Sequence, residues 1–203
     1  MKKFAIVAIL LLVAALPAFA LGPSIGFGVQ ADYASLNFVP PLSDVYGAGY
    51  GGGAHLDIGF AMLTARISGD YMRFSPDVEK FKAATGVPAN VIANVSVDGG
   101  VISIISANAN LKWEILPLPV VSPYLTGGIG LASISMSDVT VKVPGQPDVP
   151  VTTPSAETKT TANLGAGVNF NLGISLFIEA KYTWIFTDNT SSTYVPVTLG
   201  VTF

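Results

Sequence analysis

The chain has 203 residues, of which 50% are hydrophobic and only 11% charged, with a formal charge of −3 and no cysteine. An ordinary globular domain carries roughly 25% charged residues, so the composition is that of a membrane protein. The missing cysteines exclude a disulfide framework and a lipid-anchored cysteine, and the mild acidity leaves no basic footprint for nucleic acid. After Ala20 no run of about 18 uninterrupted apolar residues occurs, which excludes spanning helices by the usual criterion. A closed barrel is then the remaining structure that can satisfy its backbone polar groups inside a bilayer.

Met1-Lys2-Lys3, the apolar residues 4–16, Pro17 and Ala18-Phe19-Ala20 form a charged region, a hydrophobic region and a small-x-small cleavage site. Residues 1–20 therefore read as a secretory signal peptide, and residues 21–203 as a single β-barrel domain. An uncleaved anchor would need roughly 20 apolar residues, more than this segment has. Loss of Lys2 and Lys3 with the leader takes the formal charge from −3 to −5.

Strand side chains alternate with period two, and that period organises the remainder. The first strand puts Ile25, Phe27, Val29, Ala31 and Tyr33 on one face and Gly26, Gly28, Gln30 and Asp32 on the other. Residues 36–45, with Pro40-Pro41, form a loop because proline cannot donate to a ladder. A second strand over residues 46–60 carries Tyr46, Ala48, Tyr50, Ala54, Leu56, Ile58 and Phe60 on its apolar face and glycines, His55 and Asp57 opposite. The third, over 63–74, sends Leu63, Ala65, Ile67 and Tyr71 outward and Thr64, Arg66, Ser68 and Asp70 inward. A two-residue turn at Ala61-Met62 pairs Phe60 with Leu63, which sets Asp57 opposite Arg66 and His55 opposite Ser68. Apolar-to-apolar matching follows from parity alone; the match of opposite charges does not.

Residues 75–100 form a long polar connection in which Ser75, Pro76 and Gly86 bracket a short helix over 77–85. A fourth strand, over 101–113, faces Ile105, Ala107, Ala109, Leu111 and Trp113 one way and Ser106, Asn108, Asn110 and Lys112 the other. A proline-rich turn over 116–123 leads into a fifth strand over 124–136, whose glycines at 127, 128 and 130 leave its facing open. Residues 137–158 form another long loop, in which Val139-Thr-Val-Lys-Val143 can extend the strands beyond the membrane. The sixth strand directs Ala162, Leu164, Ala166, Val168 and Phe170 outward and Asn163, Gly165, Gly167, Asn169 and Asn171 inward. After a tight turn at 172–174, the seventh displays Leu176, Ile178, Ala180, Tyr182, Trp184 and Phe186 opposite Glu179, Lys181 and Thr183. Residues 188–193 form a short loop, and the last strand, over 194–203, turns Val195, Val197, Leu199, Val201 and Phe203 to one face. Pro196 interrupts it and predicts a bulge.

Eight strands in sequence predict an all-β, antiparallel up-and-down transmembrane barrel. The long connections fall at one end and the tightest turns at the other, the asymmetry of outer-membrane barrels. A soluble barrel of lipocalin type has the same period with the apolar face inside, but its outer face needs about 25–35% charge. Here the polar face is glycine, serine, threonine and asparagine with few charges, which suits a narrow lumen. Tyr33, Tyr46, Tyr71, Trp113, Phe170, Trp184, Phe186 and Phe203 gather near strand ends as interfacial girdles do.

The segments Pro123-Tyr-Leu-Thr-Gly-Gly-Ile-Gly-Leu131, Asn163-Leu-Gly-Ala-Gly-Val-Asn-Phe170 and Phe177-Ile-Glu-Ala-Lys-Tyr182 give the mature chain a resemblance to the small eight-stranded outer-membrane barrels of the OmpA and OmpX type. That resemblance implies the bacterial outer membrane as location, and outer-membrane lipid and the barrel-assembly machinery as partners. The terminal strand, with Tyr194, Leu199, Val201 and Phe203, resembles the signal by which such barrels are recognised for assembly.

An eight-stranded barrel is just wide enough for side chains to fill. The inward charges, Asp32, Asp57, Asp70 and Glu179 against Arg66, Lys112 and Lys181, are expected to pair as a structural plug, since an unpaired buried charge is costly. The long loops are expected to meet a ligand outside the cell in surface interaction or adhesion, since loops on a rigid scaffold carry binding. Two other readings are a narrow gated conduit for a small solute and a lipid-modifying enzyme. The latter would use His55 as base beside Ser68, oriented by Asp57 or Asp70, although a lone lumenal histidine is more often a packing residue. No cofactor or metal is expected, because no ligand cluster or phosphate-binding loop occurs; Gly-x-Gly patterns such as Gly26 to Gly28 lie on strands.

Overall fold

A computed structural model describes residues 23–37, 45–77, 80, 96–116, 118–142, 149–151, 155–187 and 191–203. The strands in chain order are β1 (Ser24–Asn37), β2 (Gly49–Phe60), β3 (Leu63–Phe74), β4 (Ser96–Gly99), β5 (Ile102–Glu114), β6 (Val121–Met136), β7 (Val139–Lys142), β8 (Val149–Val151), β9 (Glu157–Asn171), β10 (Ser175–Phe186) and β11 (Ser191–Thr202). Eight of them close an antiparallel barrel in the order β1, β11, β10, β9, β6, β5, β3, β2. The remaining three form a separate sheet in the order β4, β7, β8.

The wall is apolar because the outward residues of every barrel strand share one parity. Ile25, Phe27, Val29, Ile67, Ile105, Leu111, Ile129, Leu131, Leu164 and Leu199 are all exposed, which in water would be a large liability and in hydrocarbon is the favourable state. Aromatic rings close the wall at both levels. Phe27 meets Phe203 at 5.7 Å near the short-turn end, while Tyr33 meets Tyr50 at 5.6 Å and Tyr182 meets Trp184 at 4.7 Å near the other. Phe60 pairs with Leu63, Asp57 with Arg66 and His55 with Ser68 across the β2–β3 hairpin. The turn between them holds Ala61 at φ 53, the left-handed conformation that a two-residue hairpin turn demands.

Several local expectations change. Tyr46 belongs to no strand and does not join the outer girdle; it forms an isolated bridge with Pro76 and lies buried, its hydroxyl donating to the Gly100 carbonyl at 2.6 Å. The first strand runs further than the sequence suggested, to Asn37. The connection after β3 contains β4, and the one after β6 contains β7 and β8. Val139–Lys142 pairs with β4 and β8 in the outlying sheet and does not lengthen the barrel strands. The helix expected over 77–85 falls almost wholly outside the described residues. No bulge forms at Pro196: Ala180 pairs with Val197 and Thr183 with Tyr194 in one unbroken register. The missing N–H drops pairs from the β10 ladder without shifting it, and Pro196 still aligns with Ala34 on β1.

The facing of β6, open in the sequence, is set by its neighbours. Ser122, Tyr124 and Thr126 are buried in the lumen while Leu125, Ile129 and Leu131 face out. Its glycines permit close approach on the inside: a Cβ on Gly128 would stand 2.0 Å from Asn110 Oδ1 and 2.2 Å from the Ala109 carbonyl.

Candidate functional site: the filled lumen

The barrel interior has three levels. At the short-turn end a vestibule of about 610 Å³ opens between the strand ends, lined by Ser24, Asp57, Thr64, Lys112, Glu114 and Asn169 among others. Above it sits a charged and aromatic layer. Arg66 donates through Nε and Nη2 to the two carboxylate oxygens of Asp57 at 2.6 and 2.7 Å, the bidentate geometry that makes guanidinium–carboxylate pairs strong. Lys112 approaches the same carboxylate at 3.9 Å. Both cations also rest on rings: Arg66 lies 4.3 Å from the centre of Phe177, and Lys112 lies 4.2 Å from Tyr124. Such contacts gain strength where water is scarce.

The other predicted residues occupy the same lumen in distinct groupings. Lys181 Nζ stands 3.0 Å from Glu179 Oε1, an ion-pair distance out of line for a hydrogen bond. Asp32 accepts from the Thr198 hydroxyl across the β1–β11 seam. Asp70 has no cationic partner among its contacts; it accepts from Gln30 Nε2, Ser68 and Asn108. The seven charges thus do not form one connected network. Asp57, Arg66 and Lys112 form a cluster, Glu179 and Lys181 a pair, and Asp32 and Asp70 are held by neutral donors.

His55 is drawn into packing. Its Nδ1 meets Gln30 Oε1 at 3.0 Å and its Nε2 meets Thr202 Oγ1 at 2.9 Å, while its ring stands edge-on to Phe177 at 5.4 Å. The Ser68 hydroxyl donates instead to Asp70, so strand register brings His55 and Ser68 opposite each other without joining them as base and nucleophile. Among the described residues no group of three or more His, Cys, Asp or Glu comes together that could hold a metal.

The third level is apolar. Ala34, Leu36, Met72, Phe74, Ile102, Ile104, Ala132, Ile185 and Tyr194 point inward at the long-loop end and pack, with Tyr46 from the first connection, into one buried cluster. Each large side chain buried there contributes about 1.5–3 kcal/mol. Between this cluster and the charged layer lies a void of about 20 Å³ beside Asp32, Asp70 and Asn108, space for about one water molecule. The wall inverts at the same height. Above Tyr33, Tyr71 and Ile105 the outward positions become Ser35, Arg73, Ser103, Ser133 and Ser135. On these strands apolar-out with polar-in gives way to apolar-in with polar-out, a pattern that suits the membrane surface beyond the hydrocarbon.

Neither central ring was singled out from the sequence. The parity of Phe177 with Glu179 and Lys181 was a signal for its inward direction, whereas Tyr124 had only a glycine-rich strand around it. The apolar seal was equally hidden, because Leu36 fell within a segment that reads as a loop and Phe74 and Ile102 stood at strand ends beside such segments.

A closed eight-stranded antiparallel wall dressed for lipid, with short turns at one end, defines the class of small outer-membrane barrel proteins. The sequence matches the outer membrane protein β-barrel domain family over residues 6–203, and the chain belongs to that family; its place is the bacterial outer membrane. Among solved structures it is similar to Neisserial surface protein A, with 18% identity and a TM-score of 0.55 over 89% of this chain and 97% of that one. It is also similar to a major outer membrane protein from Thermus thermophilus, with 13% identity and a TM-score of 0.51 over 89% and 98% of the two chains. At these identities the likeness is one of fold. No curated protein matches the chain.

Proposed function

We propose that this protein is a closed, side-chain-filled scaffold that holds its extracellular loops out for surface interaction or adhesion, with no catalytic role. The observation that supports the reading is the apolar cluster above the charged layer: among the described residues, buried Leu36, Phe74, Ile102, Ile104 and Ile185 stand between the charged layer and the long-loop end. Beyond the seal, strands β4, β7 and β8 give the two longest connections a shared framework, a suitable base for a binding surface. The lumen charges act in this reading as a plug that fixes the cross-section of the barrel. Residues 1–20 serve as an export signal, and Tyr194, Leu199, Val201 and Phe203 serve as the signal read by the assembly machinery.

The vestibule favours one second reading, a gated conduit entered from the periplasm. Planar-bilayer recording separates the two: the wild-type barrel is expected to pass no current, and Phe74→Ala with Ile104→Ala to open measurable steps. Sustained conductance by the wild type would overturn the closed reading. Deleting residues 139–151 is expected to abolish binding to cells, and binding that survives loss of both long loops would remove the display role. Lipid acylation that disappears in His55→Ala would restore the enzyme.

A further inference from the structure

The outward positions of the eight barrel strands carry a single charged residue, Arg73 on β3. Every other acidic or basic side chain on those strands has the inward parity. Arg73 is exposed, and none of the described residues forms an ion pair or hydrogen bond with its side chain. In a wall otherwise so free of charge, a guanidinium with no partner among the described residues is a feature that packing does not explain.

Its cross-strand neighbours are fixed by register, and its height by β3 itself, where it stands one outward position beyond Tyr71. Tyr33 pairs with Tyr50, Tyr50 with Arg73, Arg73 with Ser103, and Ser103 with Ser135. Arg73 lies between the aromatic pair and the hydroxyls of this row, and on β3 and β5 the steps from Tyr71 to Arg73 and from Ile105 to Ser103 are where the wall passes from apolar to polar. Tyrosine rings concentrate at the headgroup level of a membrane. Beside Arg73 the surface is recessed: Tyr71, Val101, Ser103, Ser135, Met136 and Ser137 line with it a hollow of about 300 Å³. The Tyr71 hydroxyl lies 3.2 Å from Ser103 Oγ, so hydroxyl groups stand together at the foot of this hollow. A guanidinium with hydroxyl donors nearby matches the tetrahedral oxygens of a phosphate, and Ile67 and Ile105 below offer acyl chains an apolar track.

We propose that Arg73, with Tyr71, Ser103 and Ser135, forms a binding site on the outer wall for the phosphate of a membrane-lipid headgroup in the outer leaflet. The site is independent of the loop-display reading and would operate whatever the loops bind. It fixes the rotation and depth of the barrel in the leaflet, because one tethered headgroup holds one side of the wall at one height. The alternative, that Arg73 extends to water with no lipid preference, differs in its lipid selectivity.

The test uses the full-length folded barrel in maltoside micelles, which contain no phosphate, with retained lipid counted by native mass spectrometry. The probes are dioleoyl phosphatidic acid and dioleoylglycerol, which share their acyl chains and differ in the phosphate. The wild type is expected to hold one phosphatidic acid about tenfold more tightly than the diacylglycerol. Arg73→Gln should erase that preference while still binding both lipids through their chains, and Arg73→Lys should keep part of it. Ser103→Asp, which leaves the arginine in place and sets a carboxylate opposite it, should also erase the preference and serves as the second variant should Arg73→Gln fold poorly. Heat-modified gel migration verifies folding for each. An unchanged preference in Arg73→Gln or Ser103→Asp would overturn the site. Displacement of phosphatidic acid by millimolar inorganic phosphate would show a general anion site and would overturn the lipid assignment.

Discussion

Removing Arg66 tests whether the lumen is held by charge pairing or only by packing. In Arg66→Met the Asp57 carboxylate loses both short bonds, at 2.6 and 2.7 Å, and Phe177 loses the cation above it. Breaking one partner of a buried pair costs about 3–5 kcal/mol, because the survivor stays charged and dehydrated. Two features here reduce that figure. Lys112 remains 3.9 Å from Asp57, and Asp57 borders the vestibule, where water can reach it. The expected loss is then about 2–4 kcal/mol, of which the ring contact supplies about 0.5–2. Replacing both partners, Asp57→Leu with Arg66→Met, removes the stranded charge, so the double variant should lie within about 2 kcal/mol of wild type. Urea unfolding in micelles followed by the fluorescence of Trp113 and Trp184, with the heat shift on gels as a second probe, measures the wild type, Asp57→Leu, Arg66→Met and the double variant. A single-variant loss below about 1 kcal/mol, or a double variant whose loss equals the sum of the singles, would refute the role of the pair.

Two further outcomes follow from the seam and the terminus. Gly28 pairs with Thr202 where β1 meets β11, and a Cβ there would come within 2.0 Å of the Val201 carbonyl and 2.5 Å of His55 Nε2. Gly28→Val should therefore cost about 1–3 kcal/mol by overpacking and lower the fraction of barrel that closes in a refolding assay; unchanged yield and midpoint would count against a tight seam. Phe203 contributes a ring contact with Phe27 worth about 0.5–1.5 kcal/mol. Phe203→Ala should accordingly change unfolding in micelles little while sharply lowering the outer-membrane level in cells, and equal membrane levels would exclude Phe203 from the assembly signal.

What the sequence determined by itself is what the two-residue period governs, except on glycine-rich β6. That period is local, so the facing of β1, β3, β5 and β10 could be read one residue at a time. The short connection at Ala61-Met62 then fixed the β2–β3 register, and with it the pairing of Asp57 and Arg66, since a hairpin turn leaves no freedom to slide. The failures share a different cause. Tyr46 and the bulge expected at Pro196 were inferred from local rules, but distant segments of the chain decided them: Pro76 and Gly100 hold Tyr46 inward, and β1 holds Pro196 in register. Contacts across the lumen depend on how far each strand is displaced when the sheet closes, a property of the whole barrel and not of any strand. Only closure could bring His55 to Thr202 and Arg66 to Phe177, whereas Lys112 and Tyr124 are diagonal neighbours on the β5–β6 hairpin. Only closure, too, turned the scattered apolar ends Leu36, Phe74, Ile104 and Ile185 into a single seal.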